Sequence, residues 1–173
     1  NIENGGEAVE VDLASLKTAA WIGNTNDGTK NACFAGIDAY KSKLEVVGGT
    51  TDVCPIWYNG IEPLIISGGK HWYIDIWTGA DAIISGENTD IQDFTLEKNT
   101  SKLYLQSTIK HLRFFDTDDL ISDGYAIATG YDGYQLTESD MQKISVRNMS
   151  TSSINLKDYE KRLEGNSIVM RKK

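Results

Sequence analysis

The string Ile-Ile-Ser-Gly stands twice in this chain, at 65–68 and 83–86, and a cousin, Val-Val-Gly-Gly, stands at 46–49. Laying 44–60 over 64–80, an offset of 20 residues, gives five identities in 17 positions: Leu44/Leu64, Gly48/Gly68, Gly49/Gly69, Ile56/Ile76 and Trp57/Trp77. A period of about twenty residues marks a solenoid, whose units cannot bury an apolar face singly and must stack on their neighbours. Hydrophobic residues make up 40% of the chain, with 16 Gly against 2 Pro, which suits an ordered, turn-rich β protein. At 173 residues the chain is expected to form one domain with a single core.

From 44 to 115 short apolar pairs recur in two series. One holds Val46-Val47, Ile65-Ile66, Ile83-Ile84, Leu103 and Leu105; the other holds Cys54/Ile56, Ile74/Ile76, Phe94/Leu96 and Leu112/Phe114. Each coil of 18 to 20 residues is therefore expected to contain two short strands joined by Gly, Asn, Thr and Asp turns, with Gly48-Gly49 and Gly68-Gly69 as tight corners. Alternation within a strand turns Ile74 and Ile76 inward and sends Asp75, Trp77, Thr95, Glu97, Arg113 and Phe115 outward. The near-equal offsets predict one buried ladder of Ile56, Ile76, Leu96 and Phe114 on successive parallel strands.

The flanks read differently. Residues 1–43 are expected to form a cap or first coil: 9–16 begins with strand-like alternation, Ala19-Ala20-Trp21-Ile22 reads as a short strand before the turn run 23–28, and Phe34, Ile37 and Tyr40 have helical spacing. The repeat region, 44–150, carries a loop-rich insert at 116–140. Thr137-Glu138-Ser139-Asp140 has the form of a helix cap before Met141. Residues 151–173 are expected to close the domain as a C-terminal cap, with a helix through Leu156, Tyr159 and Leu163 stopped by Gly165, then a strand from Ser167 to Met170.

Ile91, Phe94, Leu96 and Asn99 fall at the consensus places of L-x-x-L-x-L-x-x-N, and Ile109, Leu112, Phe114 and Thr117 repeat the pattern eighteen residues on; Met141, Ile144, Val146 and Asn148 make a third, looser copy. In this the chain resembles the leucine-rich repeat proteins over residues 44–150. The resemblance implies parallel strands on a concave sheet, with Asn99 bonding inside its turn. His71 departs from it by standing where the first Leu belongs. The fold class expected is thus mainly β with minor α, a leucine-rich-repeat-like solenoid; a parallel β-helix or a β-sandwich accounts for the same spacing.

The net charge of −8 argues against nucleic acid, because affinity for a phosphate backbone comes from Lys and Arg. No apolar run approaches the about 20 residues that span a bilayer, so membrane insertion is not expected. The first residue, Asn1, is not Met, which leads us to expect a processed product or a part of a larger chain. Among candidate sites the outward aromatics stand first. Trp57 and Trp77 are expected in one register of adjacent coils, about 4.8 Å apart, as a flat platform for a sugar ring or a partner's side chain, with Asp75 and Phe115 on the same face. The alternative is that another segment covers them.

Asp116, Asp118, Asp119 and Asp123 are hard oxygen ligands at short spacing, the chemistry of calcium, but lack the full calcium-loop pattern, so a solvated loop and no cofactor are expected. Cys33 and Cys54 lie 21 apart, about one coil, which brings a disulfide within reach; two buried thiols are the alternative. Asp75, Asp93 and Glu97 on neighbouring coils are the carboxylates from which a glycosidase pair would be drawn. No nucleophile motif accompanies them, and no reaction is expected. The function expected is a non-enzymatic binding or assembly module of a larger extracellular, cell-surface or virion protein, contacting protein or glycan. A carbohydrate-active enzyme or carbohydrate-binding domain, and a structural fibre or homo-oligomer segment, are the alternatives.

Overall fold

The computed structural model describes the backbone of residues 9–12, 44–47, 50–58 and 60–173. The expected strand at 19–22, the helical turns at 31–43 and the Cys33–Cys54 pairing lie outside what is described; of Cys54 only the backbone is placed. Along the rest, short strands alternate between two sheets. Into the larger sheet go β1 (Val9–Asp12), β2 (Leu44–Val47), β4 (Leu64–Ile66), β6 (Ala82–Ile84), β8 (Leu103–Leu105) and β10 (Tyr125–Gly130). The smaller receives β3 (Thr50–Tyr58), β5 (Lys70–Ile76), β7 (Asp90–Leu96), β9 (His111–Asp116) and β11 (Ile144–Asn148), in the spatial order β3-β5-β7-β9-β11. All of these strands pair in parallel, so the protein is mainly β and forms a β-solenoid. The stretch 116–140, expected as a looping insert, contributes β10 to the larger sheet.

The repeated string acts at a corner of the coil. In the larger sheet Val46, Ile66, Ile84 and Leu105 stack in register and are all buried, while Ile65, Ile83 and Tyr104 form the partly exposed outward row. The residue after each strand carries the ladder past the strand end: Ser67 N–H donates to the Val46 carbonyl at 3.0 Å and Ser85 N–H to that of Ile66 at 2.9 Å. The glycine then lets the coils close. A Cβ on Gly86 would lie 2.0 Å from the Ser67 carbonyl oxygen, a distance no side chain tolerates.

The core lies between the sheets. In the smaller sheet the buried ladder is Ile56, Ile74, Phe94 and Phe114, flanked by Tyr58, Ile76 and Leu96. The expected ladder of Ile56, Ile76, Leu96 and Phe114 therefore keeps its two ends, while its two middle members are replaced by residues two places earlier, Ile74 and Phe94. The cause is a pair of β-bulges. Thr51 pairs with His71, an offset of 20, but after the irregularity Pro55 pairs with Tyr73, an offset of 18; between β7 and β9 the offset changes from 21 at Ile91↔Leu112 to 20 at Phe94↔Phe114. The same register sets Phe94 opposite Phe114 instead of Leu112, so the two leucine-rich-repeat matches are out of step with each other.

An antiparallel hairpin ends the stack. Strand β13 (Ser167–Lys172) pairs antiparallel with β10, and β12 (Tyr159–Glu164) pairs antiparallel with β13. The helix expected through Leu156, Tyr159 and Leu163 is instead one 3-10 turn, Leu156–Asp158, followed by β12; Gly165, with φ 57°, makes the hairpin turn. The helix cap at Thr137 is present. It starts α1 (Glu138–Lys143), where Thr137 and Asp140 make reciprocal backbone and side-chain hydrogen bonds. Lys161 fastens the hairpin to this helix by donating to the carbonyls of Met141, at 2.6 Å, and Ile144.

Candidate functional site

The outward surface of the five-stranded sheet gathers most of the sequence candidates. Its register aligns two rows across the strands. Trp57, Asp75 and Thr95 pair across β3, β5 and β7, as do Pro55, Tyr73 and Asp93; beyond the Phe94↔Phe114 pairing, Phe115 pairs with Arg147 and Arg113 with Ser145. Trp77 and Glu97 follow the ends of β5 and β7, each donating its N–H at 3.1 Å to the preceding coil.

Trp57 and Trp77 are 38% and 50% exposed, and their ring centroids stand 6.2 Å apart at an interplanar angle of 45°. Both face outward, as expected, but they do not share a register. Trp57 pairs with Asp75, so Trp77 lies diagonal to it and the rings meet at a tilt. A third tryptophan was not legible by parity. Strict alternation turns Trp72 inward with Ile74, yet it is 40% exposed and its ring is 6.3 Å from that of Tyr73. The pairing of β5 with β7 passes from His71↔Ile91 to Tyr73↔Asp93, skipping Trp72 and Gln92, and buried His71 and Ile91 precede these exposed residues. The neighbouring polar pair Gln92-Asp93 was the available signal, because two successive outward residues mark a bulge.

Beside the tryptophans Asp75 is outward in parity but buried. Its Oδ2 accepts from the Trp77 indole Nε1–H at 2.6 Å and from the Tyr73 hydroxyl at 3.3 Å; its Oδ1 is enclosed without a hydrogen-bond partner. Burial pushes the Asp75 carboxyl above its ordinary value; the Trp77 and Tyr73 hydrogen bonds oppose the shift and the negative charge of Asp118 adds to it. Glu97 is raised as well, by burial first and then by Asp75 and Asp118. Burial drives the Tyr73 hydroxyl up to about 12, and Thr95, expected at the surface, is wholly buried with its hydroxyl 3.4 Å from that of Tyr73.

Phe115 is not an open platform. The Arg147 guanidinium carbon lies 4.0 Å above its ring centroid. Arg147 Nε also stands 3.1 Å from Asp93 Oδ1, and Arg113 grips the same carboxylate at two points, Nε to Oδ1 at 2.8 Å and a terminal nitrogen to Oδ2 at 2.9 Å. Of these three charged residues the sequence reading placed Asp93 and Arg113 on the outward face and passed over Arg147. Asp93 and Arg113 lie 20 apart, the coil length, so their pairing was legible; Arg147 pairs with Phe115 across a coil of 32 residues, well beyond the period of the repeat.

The four aspartates of 116–123 hold loops. Buried Asp116 accepts from the backbone N–H groups of Leu120 and Ile121 at 2.8 and 3.1 Å, Asp119 accepts from Ser152 and Ser153, and Asp123 accepts from the N–H of Lys172. Asp118 takes the Thr117 hydroxyl at 3.2 Å. Among the described residues no three His, Cys, Asp or Glu are grouped to hold a metal. Comparison with protein-family models, with curated proteins and with solved structures gives no match to this chain.

Proposed function

We propose that this protein is a non-enzymatic binding module of a larger extracellular, cell-surface or virion protein, and that the outward face of the five-stranded sheet receives a glycan. The observation that carries the reading is the Trp57–Trp77 pair, two indoles in contact with each other and both more than a third exposed. Bare indoles on a surface mark contact sites, and their flat faces suit the C–H faces of sugar rings. The bond from the Trp77 indole to Asp75, whose carboxylate also accepts from the Tyr73 hydroxyl, holds Trp77 before a ligand arrives, which lowers the ordering cost of binding. The likeness to leucine-rich repeats is not part of this reading, because the shifted register weakens it.

A second reading has its own support. Asp75 and Glu97 are carboxyls raised above their ordinary range next to the aromatic platform, an arrangement that would suit a general acid. One experiment separates the two. Titrating the chain with a panel of oligosaccharides while following tryptophan emission should give saturable shifts with the sugars recovered intact. Cleaved sugars would transfer the face to a carbohydrate-active enzyme. Absence of binding across the panel would remove the glycan reading.

A further inference from the structure

The face is chemically uneven along its length, and its far end bears on the ligand. Two guanidiniums, those of Arg113 and Arg147, converge on the single carboxylate of Asp93, leaving one positive charge uncompensated in a chain whose net charge is −8. Arg113 is committed, since both its bonds go to Asp93. Arg147 is not. Its Nε stands 3.1 Å from Asp93, its plane rests on Phe115, its side chain is 45% exposed, and its terminal nitrogens make no hydrogen bond among the described residues. A guanidinium held on one edge and one face, with the other edge open, is pre-organised to take a carboxylate through two parallel N–H donors.

Arg147 and Trp57 stand on the two edge strands of the sheet, β11 and β3, with Asp75, Thr95 and Phe115 on the strands between them. Four strand spacings separate the two ends, about 19 Å, more than one sugar ring covers. The Asp75 carboxylate, bonded to the Trp77 indole and paired across strands with Trp57, puts an acidic group at the tryptophan end. That end therefore disfavours an anionic ring and favours a neutral one. The overall negative charge offers no general attraction for anions, so any preference for one must arise locally.

We infer that the ligand of this face is an acidic oligosaccharide, with a carboxylate seated on Arg147 and a neutral ring packed on Trp57 and Trp77. The inference rests on the glycan reading above and adds the charge and minimum length of the ligand. It is tested by calorimetric titration of the intact chain with a panel of oligosaccharides in free-acid and methyl-esterified pairs: oligogalacturonates, glucuronate-containing oligosaccharides and sialylated oligosaccharides. At least one free acid should bind about tenfold or more tightly than its own ester at low salt, with the ratio shrinking as salt rises. Arg147→Gln should bring the ratio to near one and leave ester binding within about twofold; Arg147→Lys, which keeps a charge but loses the fork, should fall between. Equal binding of acid and ester, or a preference that survives Arg147→Gln, overturns the inference and leaves the glycan reading standing. Binding of neither form of any pair overturns both, as does binding of acidic peptides alone.

Discussion

Asp75 shows how much a single residue's setting alters its sequence reading. Alternation gave its side correctly, and that side was read as solvent; the structure buries it under Trp77 and Tyr73 instead. Outward parity in a solenoid means only that a side chain leaves the core between the sheets, since long aromatic neighbours can roof a short one. A carboxyl held above its ordinary value of 3.8 binds more protons in the folded than in the unfolded chain at intermediate pH. Stability must then fall as pH rises from that ordinary value through the raised one, and the deficit persists above it. Glu97 adds to the fall with the same sign. Urea unfolding at a series of pH values should therefore give a shallower decline for Asp75→Asn than for the parent chain, because Asn has no proton to lose and keeps an acceptor for the Trp77 indole. An unchanged decline would mean that Asp75 ionises as freely in the fold as outside it. At this scale Trp57 and Trp77 were legible as outward residues, whereas Trp72 was hidden by a bulge and Arg147 by the length of the coil that separates it from Arg113.

At the scale of elements, the two strands per coil were legible and their register was not. The period came from the apolar pairs and the Gly corners, which the stacking of Val46, Ile66, Ile84 and Leu105 requires. Register was lost where β3 admits extra residues between Thr51 and Pro55, because a bulge alters pairing without altering composition. The identity Ile56/Ile76 is thus a match of sequence and not of position. A double-mutant cycle resolves the two pairings: Ile56→Val with Ile74→Val should couple by about 0.5 kcal/mol or more, and Ile56→Val with Ile76→Val should be closer to additive. Larger coupling to Ile76 would restore the ladder expected from the repeat. The C-terminal hairpin was misread for another reason. Leu156, Tyr159 and Leu163 have helical spacing, but β13 offers the chain an antiparallel partner along the whole of 159–164, and Gly165 stops a helix or turns a hairpin equally well.

Over the whole molecule, stacked coils leave two broad outward faces, and the smaller sheet concentrates aromatic and charged residues on one of them. The solenoid explains why residues 20 to 54 apart in sequence, such as Asp93, Arg113 and Arg147, meet in one ion cluster. It also explains why the site was only half legible, since neighbours across coils depend on register and on the length of each turn. The central claim is that Trp57 and Trp77 belong to a contact surface and not to the core. The most direct test is the double variant Trp57→Ala, Trp77→Ala, assayed for unfolding and for binding to the oligosaccharides that the parent chain retains. The variant should unfold cooperatively, with a loss per residue below the about 3 to 5 kcal/mol of a buried tryptophan, and its affinity should drop at least about tenfold. A variant that does not fold, or one that folds and binds as the parent does, would contradict the claim.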